Sequence, residues 1–502
     1  MRRARIAVGM FVVLSVVSFA GSSAQAGGLE YNGAGTRAAG RGGAFAARVD
    51  DPMALQLNPA LLSDLTGVQL MLNLNVGLYN GCHQRAGTYG DMGRTMGEPT
   101  VFAPGWETSP FPEVCNETPF SPGASLAATF QLAKGFTLGV GVLTPYAAGA
   151  TRFGGENGTV ANGTLPSPNR YNMVQQNLLQ FFPSVGFGYR PTPWLAFGAT
   201  LQWGITHISY TNYGTALAGE EPAYDLRTTL DVSDNFTPAI IGSVALRPTP
   251  SLDFMLGVRY VDNVRARGTV TVDAHDFDDP AERNATTVLD NVRLVAPQTS
   301  AITLGVRYGH RRGSGTALND ATQQTLRGAT FDRMNTEVFD VELDAVYDFN
   351  DRVNDFVVSL PQGATADVPG AGGASPLPNP LRLAHNWKNQ LSLRLGGDYN
   401  VIPGVLALRV GASFETSGVD PRYVQLDFIP GQRVSVSGGA TLRLGRIDIS
   451  LAYLHIFQAD ITSTSTADVG LRQISLGMSK VINDGTYTAQ FDVFSVGANY
   501  HF

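Results

Sequence analysis

The chain has 502 residues, 15% charged and 43% hydrophobic, with a formal net charge of −7 and a mean hydropathy of −0.01. An acidic chain without a basic run gives no reason to invoke nucleic acid. Beyond the N-terminus no segment approaches the ~20 apolar residues of a spanning helix, which excludes a helical-bundle membrane protein but not a barrel.

Residues 1–26 read as a secretory signal peptide. Arg2, Arg3 and Arg5 precede an apolar run from Ile6 to Ala20, and Ala24-Gln25-Ala26 supplies a small-residue cleavage site. Residues 27–66 lack strand periodicity. Gly33, Gly35, Gly40, Gly42 and Gly43 are followed by Asp50-Asp51 and by the run Leu57-Asn58-Pro59-Ala60-Leu61-Leu62. Short helical turns and loops are expected there, in a compact segment able to fold inside a barrel as a plug. Asn58 before Pro59 reads as a helix N-cap followed by proline at the first helical position. A capped turn of that kind can also be the moving part of a gate formed by Asn58, Pro59 and Ala60.

From residue 67 onward strict alternation takes over. Val68, Leu70, Leu72, Leu74, Val76 and Leu78 interleave with Gln69, Asn73, Asn75 and Gly77. Leu252, Phe254, Leu256, Val258 and Tyr260 interleave with Asp253, Gly257 and Arg259, and the pentapeptide at Leu256–Tyr260 recurs at Leu304–Tyr308. Leu406, Leu408, Val410, Ala412 and Phe414 interleave with Arg409, Gly411 and Ser413. At the far end Phe494, Val496, Ala498, Tyr500 and Phe502 share one parity, and Ser495, Gly497, Asn499 and His501 the other. Period-2 alternation makes strands with one apolar face for lipid and one polar or small face for a lumen.

Fourteen such strands are expected, near 67–80, 121–134, 135–150, 173–191, 193–212, 228–249, 251–272, 298–310, 337–350, 386–400, 404–417, 432–445, 446–459 and 489–502. The fold class is all-β, a 14-stranded antiparallel transmembrane barrel over residues 67–502. Short turns at Lys134-Gly135, Pro191–Pro193, Pro248–Pro250 and Ile402–Gly404 fall at one end. Long polar stretches near 81–120, 151–172, 273–297, 351–385 and 460–488 fall at the other. The connection near 311–336 is long yet falls among the short turns, as an insertion or as a slip in the count. Cys82 and Cys115, both expected in the connection after the first strand, form an even pair in an exported chain and point to a disulfide. No further ligand near them suggests a metal.

Pro145 lies within the third strand, where it removes a ladder donor in a barrel that has no free edge to hide it. With Gly139, Gly141 and Gly149 nearby, that strand reads as locally unpaired: an ordinary bulge or strand end, or an opening in the wall. Arg259, Arg307, Arg394 and Arg409 fall on the lumen parity. They could receive a carboxylate ligand, or pair across strands with Asp340, Glu342, Asp344 and Asp348 on the inner face of the ninth strand. His207 shares the lipid-facing parity of Leu201, Trp203 and Ile205. No nucleophile, base and orienting group can be assembled near one rim, and no H-E-x-x-H, G-x-S-x-G or phosphate-loop motif occurs, so no catalytic residue, metal or cofactor is expected.

Three segments carry a resemblance to a known family. Gly33–Leu62 has a small-residue stretch, an acidic pair and then Asn-Pro-Ala. Leu132–Phe153 and Asn483–Phe502 complete the set, with Asn386–Tyr399 in the same order. Together they resemble the long-chain fatty acid transporters of Gram-negative outer membranes, which include channels for aromatic hydrocarbons. The resemblance covers essentially the whole chain after the signal peptide. It implies passive uptake of a fatty acid, alkane or aromatic hydrocarbon through an interior apolar pocket, movement of an N-terminal hatch, and exit sideways at a break in the third strand. It further implies a monomer among outer-membrane lipids and lipopolysaccharide, with Tyr500 and Phe502 read by the barrel assembly machinery. A general porin, a surface adhesin and, less readily, a barrel lipase or protease are the alternatives.

Overall fold

The computed structural model describes residues 34–92, 108–144, 149–160, 165–215, 220, 225–274, 285–312, 332–368, 373–466, 469–471 and 481–502. Two single helical turns come first, α1 (Thr36–Ala39) and α2 (Ala54–Leu57), then a 3-10 turn at Pro59–Asp64. The wall follows: β1 (Val68–Arg85), β2 (Phe120–Ala133), β3 (Phe136–Leu143 and Gly149–Arg152), β4 (Gln175–Thr192) and β5 (Leu195–Thr215). Next are β6 (Asp225–Thr249), β7 (Leu252–Val261 and Val264–Ala274), β8 (Thr286–Ala296 and Ala301–Arg311) and β9 (Glu337–Asp348 and Asp355–Ser359). The last are β10 (Leu381–Ala384 and Gln390–Ile402), β11 (Leu406–Glu415), β12 (Arg433–Leu444), β13 (Ile447–Gln458) and β14 (Gly485–His501).

Each strand pairs antiparallel with its neighbours in sequence, and β1 pairs with β14 from Gln69↔His501 to Arg85↔Gly485. The sheet is therefore a closed barrel of fourteen strands. Closure pairs the backbone groups that an open edge would present to hydrocarbon, where each unsatisfied group is costly. The alternation sorts as expected. Leu70, Leu72 and Leu74 face out, 42–48% exposed, while Gln69, Met71, Asn73 and Asn75 are buried inside. Exposed Tyr189, Trp194, Tyr308, Tyr399 and Phe502 ring the short-turn end, and Trp203, Phe236, Tyr260 and Phe457 lie further along the wall. Paired aromatic girdles of this kind mark the two water–lipid boundaries of a membrane barrel.

The strands reach further than their clearest alternation. Residues 286–296, expected in a connection, form the first half of β8. Two residues, Asp290 and Asn291 (φ 62°), stand opposite one of β7, and this bulge breaks the period that would reveal the strand. Asp355–Ser359, Leu381–Ala384 and Gly485–Thr488, also expected in connections, extend β9, β10 and β14. The count of fourteen does not slip, so the long connection between β8 and β9 is an insertion. Its residues 313–331 lie outside the described residues, as does the signal segment.

The interior has two apolar layers. At the short-turn end Phe45, Val49, Leu55, Leu61 and Leu62 of the N-terminal segment pack against Met71, Ala127, Leu143, Ala196 and Ala245 of the wall. Toward the long connections, inward residues of β4 to β8 pack with Val424, Leu426 and Ile429 from the β11–β12 connection.

Candidate functional site

The N-terminal segment is bound to the wall by buried charge. Arg41 donates to Asp398 at 2.7 Å, Asp340 at 2.8 Å and Glu342 at 2.9 Å, all essentially without solvent contact. Arg48 also pairs with Asp340, and reaches Asp398 at 3.3 Å. Asp344 accepts the backbone N–H groups of Phe45 and Ala46, both at 3.0 Å, and Glu342 that of Ala47 at 2.6 Å. The acidic row of β9 thus serves mainly the N-terminal segment. Of the expected wall partners Arg307 joins it directly, binding Asp340 and, beyond that row, Glu337 and Asp253. Arg409 lies 3.5 Å from Asp398, and Arg394 donates to Ser392 on its own strand. Arg259 stacks on the Phe182 ring. The four arginines expected at the lumen are therefore scattered among different partners and do not converge on one ligand position.

At the other end of the segment Asp64 bridges Arg190 (2.7 Å) and Arg247 (2.8 Å). Burial would raise its carboxyl, but Arg190, Arg247 and Arg333 around it hold it down to about 2. Asn58 does precede a 3-10 turn with Pro59 at its first position, but its side chain does not cap that turn. It donates instead to the Ala46 carbonyl at 2.8 Å and accepts from Ser243 of β6 at 2.8 Å, while the same hydroxyl accepts from the Ala60 N–H at 2.9 Å. The cap reading is corrected: a wall hydroxyl outcompetes the local backbone. Leu55 rests on Gly139 of β3 and Gly186 of β4, and Pro59 on Gly188 and Gly198, where a Cβ would lie 2.4–2.9 Å from the segment.

β3 is interrupted beside this contact. Its pairing with β4 stops at Leu143↔Phe182 and resumes at Gly149↔Leu178, a break in register across the interruption. Pairing of β3 with β2 runs only from Leu126↔Val142 to Ala133↔Phe136, although β2 continues back to Phe120 along β1. Past that point Thr144 reaches across by side-chain bonds, its Oγ1 to the Ala124 carbonyl at 2.9 Å and its N–H to Ser125 Oγ at 3.3 Å. Gly141 lies in the last paired stretch, Gly149 opens the resumed one, and Pro145 lies outside the described residues.

Above the N-terminal segment the lumen holds a narrow cleft of about 40 Å³. Leu178, Ile208, Leu230, Val264 and Leu294 from β4 to β8 supply its apolar wall, and Phe428 and Asp427 from the β11–β12 connection cover it. These inward aliphatics break the polar-inward rule, and that departure was the sequence signal for a pocket. Cys82 and Cys115 are joined as a disulfide. Cys82 sits within β1 rather than in a loop, opposite Cys115 in a short added strand at Glu113–Cys115.

No family model matches the sequence, and no curated protein matches it. Solved structures do. A Pseudomonas aeruginosa FadL homologue is similar at 14% identity and a TM-score of 0.63, over 95% of this chain and 99% of that one. The P. putida toluene transporter TodX is similar at 16% identity and 0.59, over 94% and 99%. The CymD monoaromatic hydrocarbon channel is similar at 13% and 0.57, over 94% and 98%. The chain has their fold. Such low identity is what a barrel permits, since any apolar residue serves facing lipid and register depends on parity rather than on particular side chains.

Proposed function

We propose that this chain is an outer-membrane channel for passive uptake of hydrophobic compounds, exported by its N-terminal signal and assembled as a monomer through its C-terminal strand. A molecule enters from the long-connection end, occupies the apolar cleft, and leaves sideways through the wall at β3 once the N-terminal hatch (residues 27–66) shifts. The observation that carries this reading is the interrupted pairing of β3 next to a hatch residue, Leu55. A hydrophobic solute released into the aqueous periplasm would re-expose its apolar surface at ~25 cal/mol per Å². Exit into the bilayer avoids that cost, and an unpaired stretch of backbone is tolerable in lipid only where it lines a cavity. The arrangement also favours a channel over a general porin, because the buried N-terminal segment leaves the short-turn end filled.

The test is to mend the strand. Replacing Pro145 with Val, and Gly141 and Gly149 with residues of high strand propensity, should slow uptake of a radiolabelled hydrophobic substrate while folding and surface binding persist. A correctly folded triple variant whose wall is sealed in a crystal structure, yet which takes up substrate at the wild-type rate, would rule out lateral exit here.

A further inference from the structure

The cleft has a chemical polarity that its apolar wall conceals. Among the described residues its lining contains no lysine, arginine or histidine, and Asp427 is its only acidic residue. The Asp427 side chain is 3% exposed. One carboxylate oxygen faces His385 Nε2 at 2.8 Å and the other accepts the Phe428 N–H at 2.7 Å. His385 Nδ1 lies 2.9 Å from the Leu383 carbonyl, which can only accept, so that nitrogen carries a proton. Beyond the His385 and Phe428 contacts the aspartyl oxygens keep acceptor lone pairs to spare. On the opposite wall Gln298 is 5% exposed, and its Oε1 has no hydrogen-bond partner. A buried acceptor left unpaired costs free energy unless something supplies a donor. Other polar groups of the cleft point to protein partners: Gln180 donates to Thr206 at 2.9 Å, and the Tyr210 hydroxyl to the Asn172 carbonyl at 2.6 Å.

We infer that the cleft selects uncharged apolar molecules bearing a hydroxyl, of the alkylphenol or long-chain alcohol class, whose O–H is received by Asp427 or Gln298, and that it rejects carboxylates. A carboxylate placed there would meet the acidic side chain of Asp427, whose ring partner His385 is already engaged, and no lysine or arginine among the described lining residues, in surroundings too apolar to screen the repulsion. The lumen arginines that could have received it are held by other partners. This inference rests on the transport reading above and narrows its substrate.

The experiment measures equilibrium binding of three probes of matched shape, 4-ethylphenol, 4-ethyltoluene and 4-ethylbenzoate, to the purified chain in lipid nanodiscs, corrected for partition into empty nanodiscs. The phenol is expected to bind about tenfold tighter than the hydrocarbon, the value of one hydrogen bond to a charged or orphaned buried acceptor. The benzoate is expected to bind weakest. Gln298→Leu and Asp427→Asn should each shrink the phenol-over-hydrocarbon preference, and Asp427→Asn should raise benzoate binding. Gln298→Leu keeps the test open if Asp427→Asn disturbs the cover of the cleft. Equal binding of phenol and hydrocarbon, or a preference untouched by both substitutions, overturns the inference while leaving the transport reading intact. Failure of all three probes to bind overturns both.

Discussion

Replacing Arg41 with methionine should unseat the N-terminal segment without disturbing the barrel. Methionine keeps most of the apolar stem but removes the guanidinium that bridges Asp340, Glu342 and Asp398. Asp340 retains Arg48 and Arg307, and Asp398 retains Arg48 and Arg409. Glu342 loses the guanidinium that pairs with it and keeps backbone N–H groups, chiefly that of Ala47. Removing one partner from a buried ion pair costs about 3–5 kcal/mol, because the other charge stays buried and uncompensated. That corresponds to about two to three and a half orders of magnitude in the ratio of seated to unseated segment. The wall should persist, since its ladder bonds do not involve Arg41. The assay is single-channel recording in planar bilayers, with limited proteolysis of the N-terminal segment alongside. Arg41→Met should open far more often than the parent chain and become cleavable near residue 41. Adding Glu342→Gln should recover much of the closed state, because a neutral amide needs no counter-charge. An Arg41→Met variant as silent and as protease-resistant as the parent would show that the buried charges do not hold the segment.

Deleting residues 27–66 should convert a nearly silent protein into an ion-conducting barrel, whereas unchanged conductance would end the hatch reading. In unreduced, denatured protein Cys82 and Cys115 should resist alkylation. Cys82→Ser should loosen the protruding end of β1 to proteases, since a cross-link across 33 residues limits unfolded freedom by about 3–4 kcal/mol. Free thiols at both positions would contradict the assignment.

The sequence by itself determined the wall. Side-chain parity has a period of two whatever the strand's neighbours, so Leu70, Leu72 and Leu74 could be sent to lipid and Asn73 and Asn75 inward from their order alone. The pairing of two cysteines and the non-strand character of the segment around Asn58 were legible for the same reason: each depends on local chemistry. Where a bulge broke the period, as at Asn291, the strand disappeared from view. Only the tertiary structure decided what meets inside. Arg41 and Asp340 are separated by 299 residues, and nothing local tells an acidic row whether its counter-charges will come from the next strand or from a segment threaded into the lumen. The cleft was hidden likewise, because Leu178, Leu294 and Asp427 face one another only once β4, β8 and the β11–β12 connection have been curved around a common axis. Parity fixes which way a side chain points. Closure of the barrel fixes what it points at.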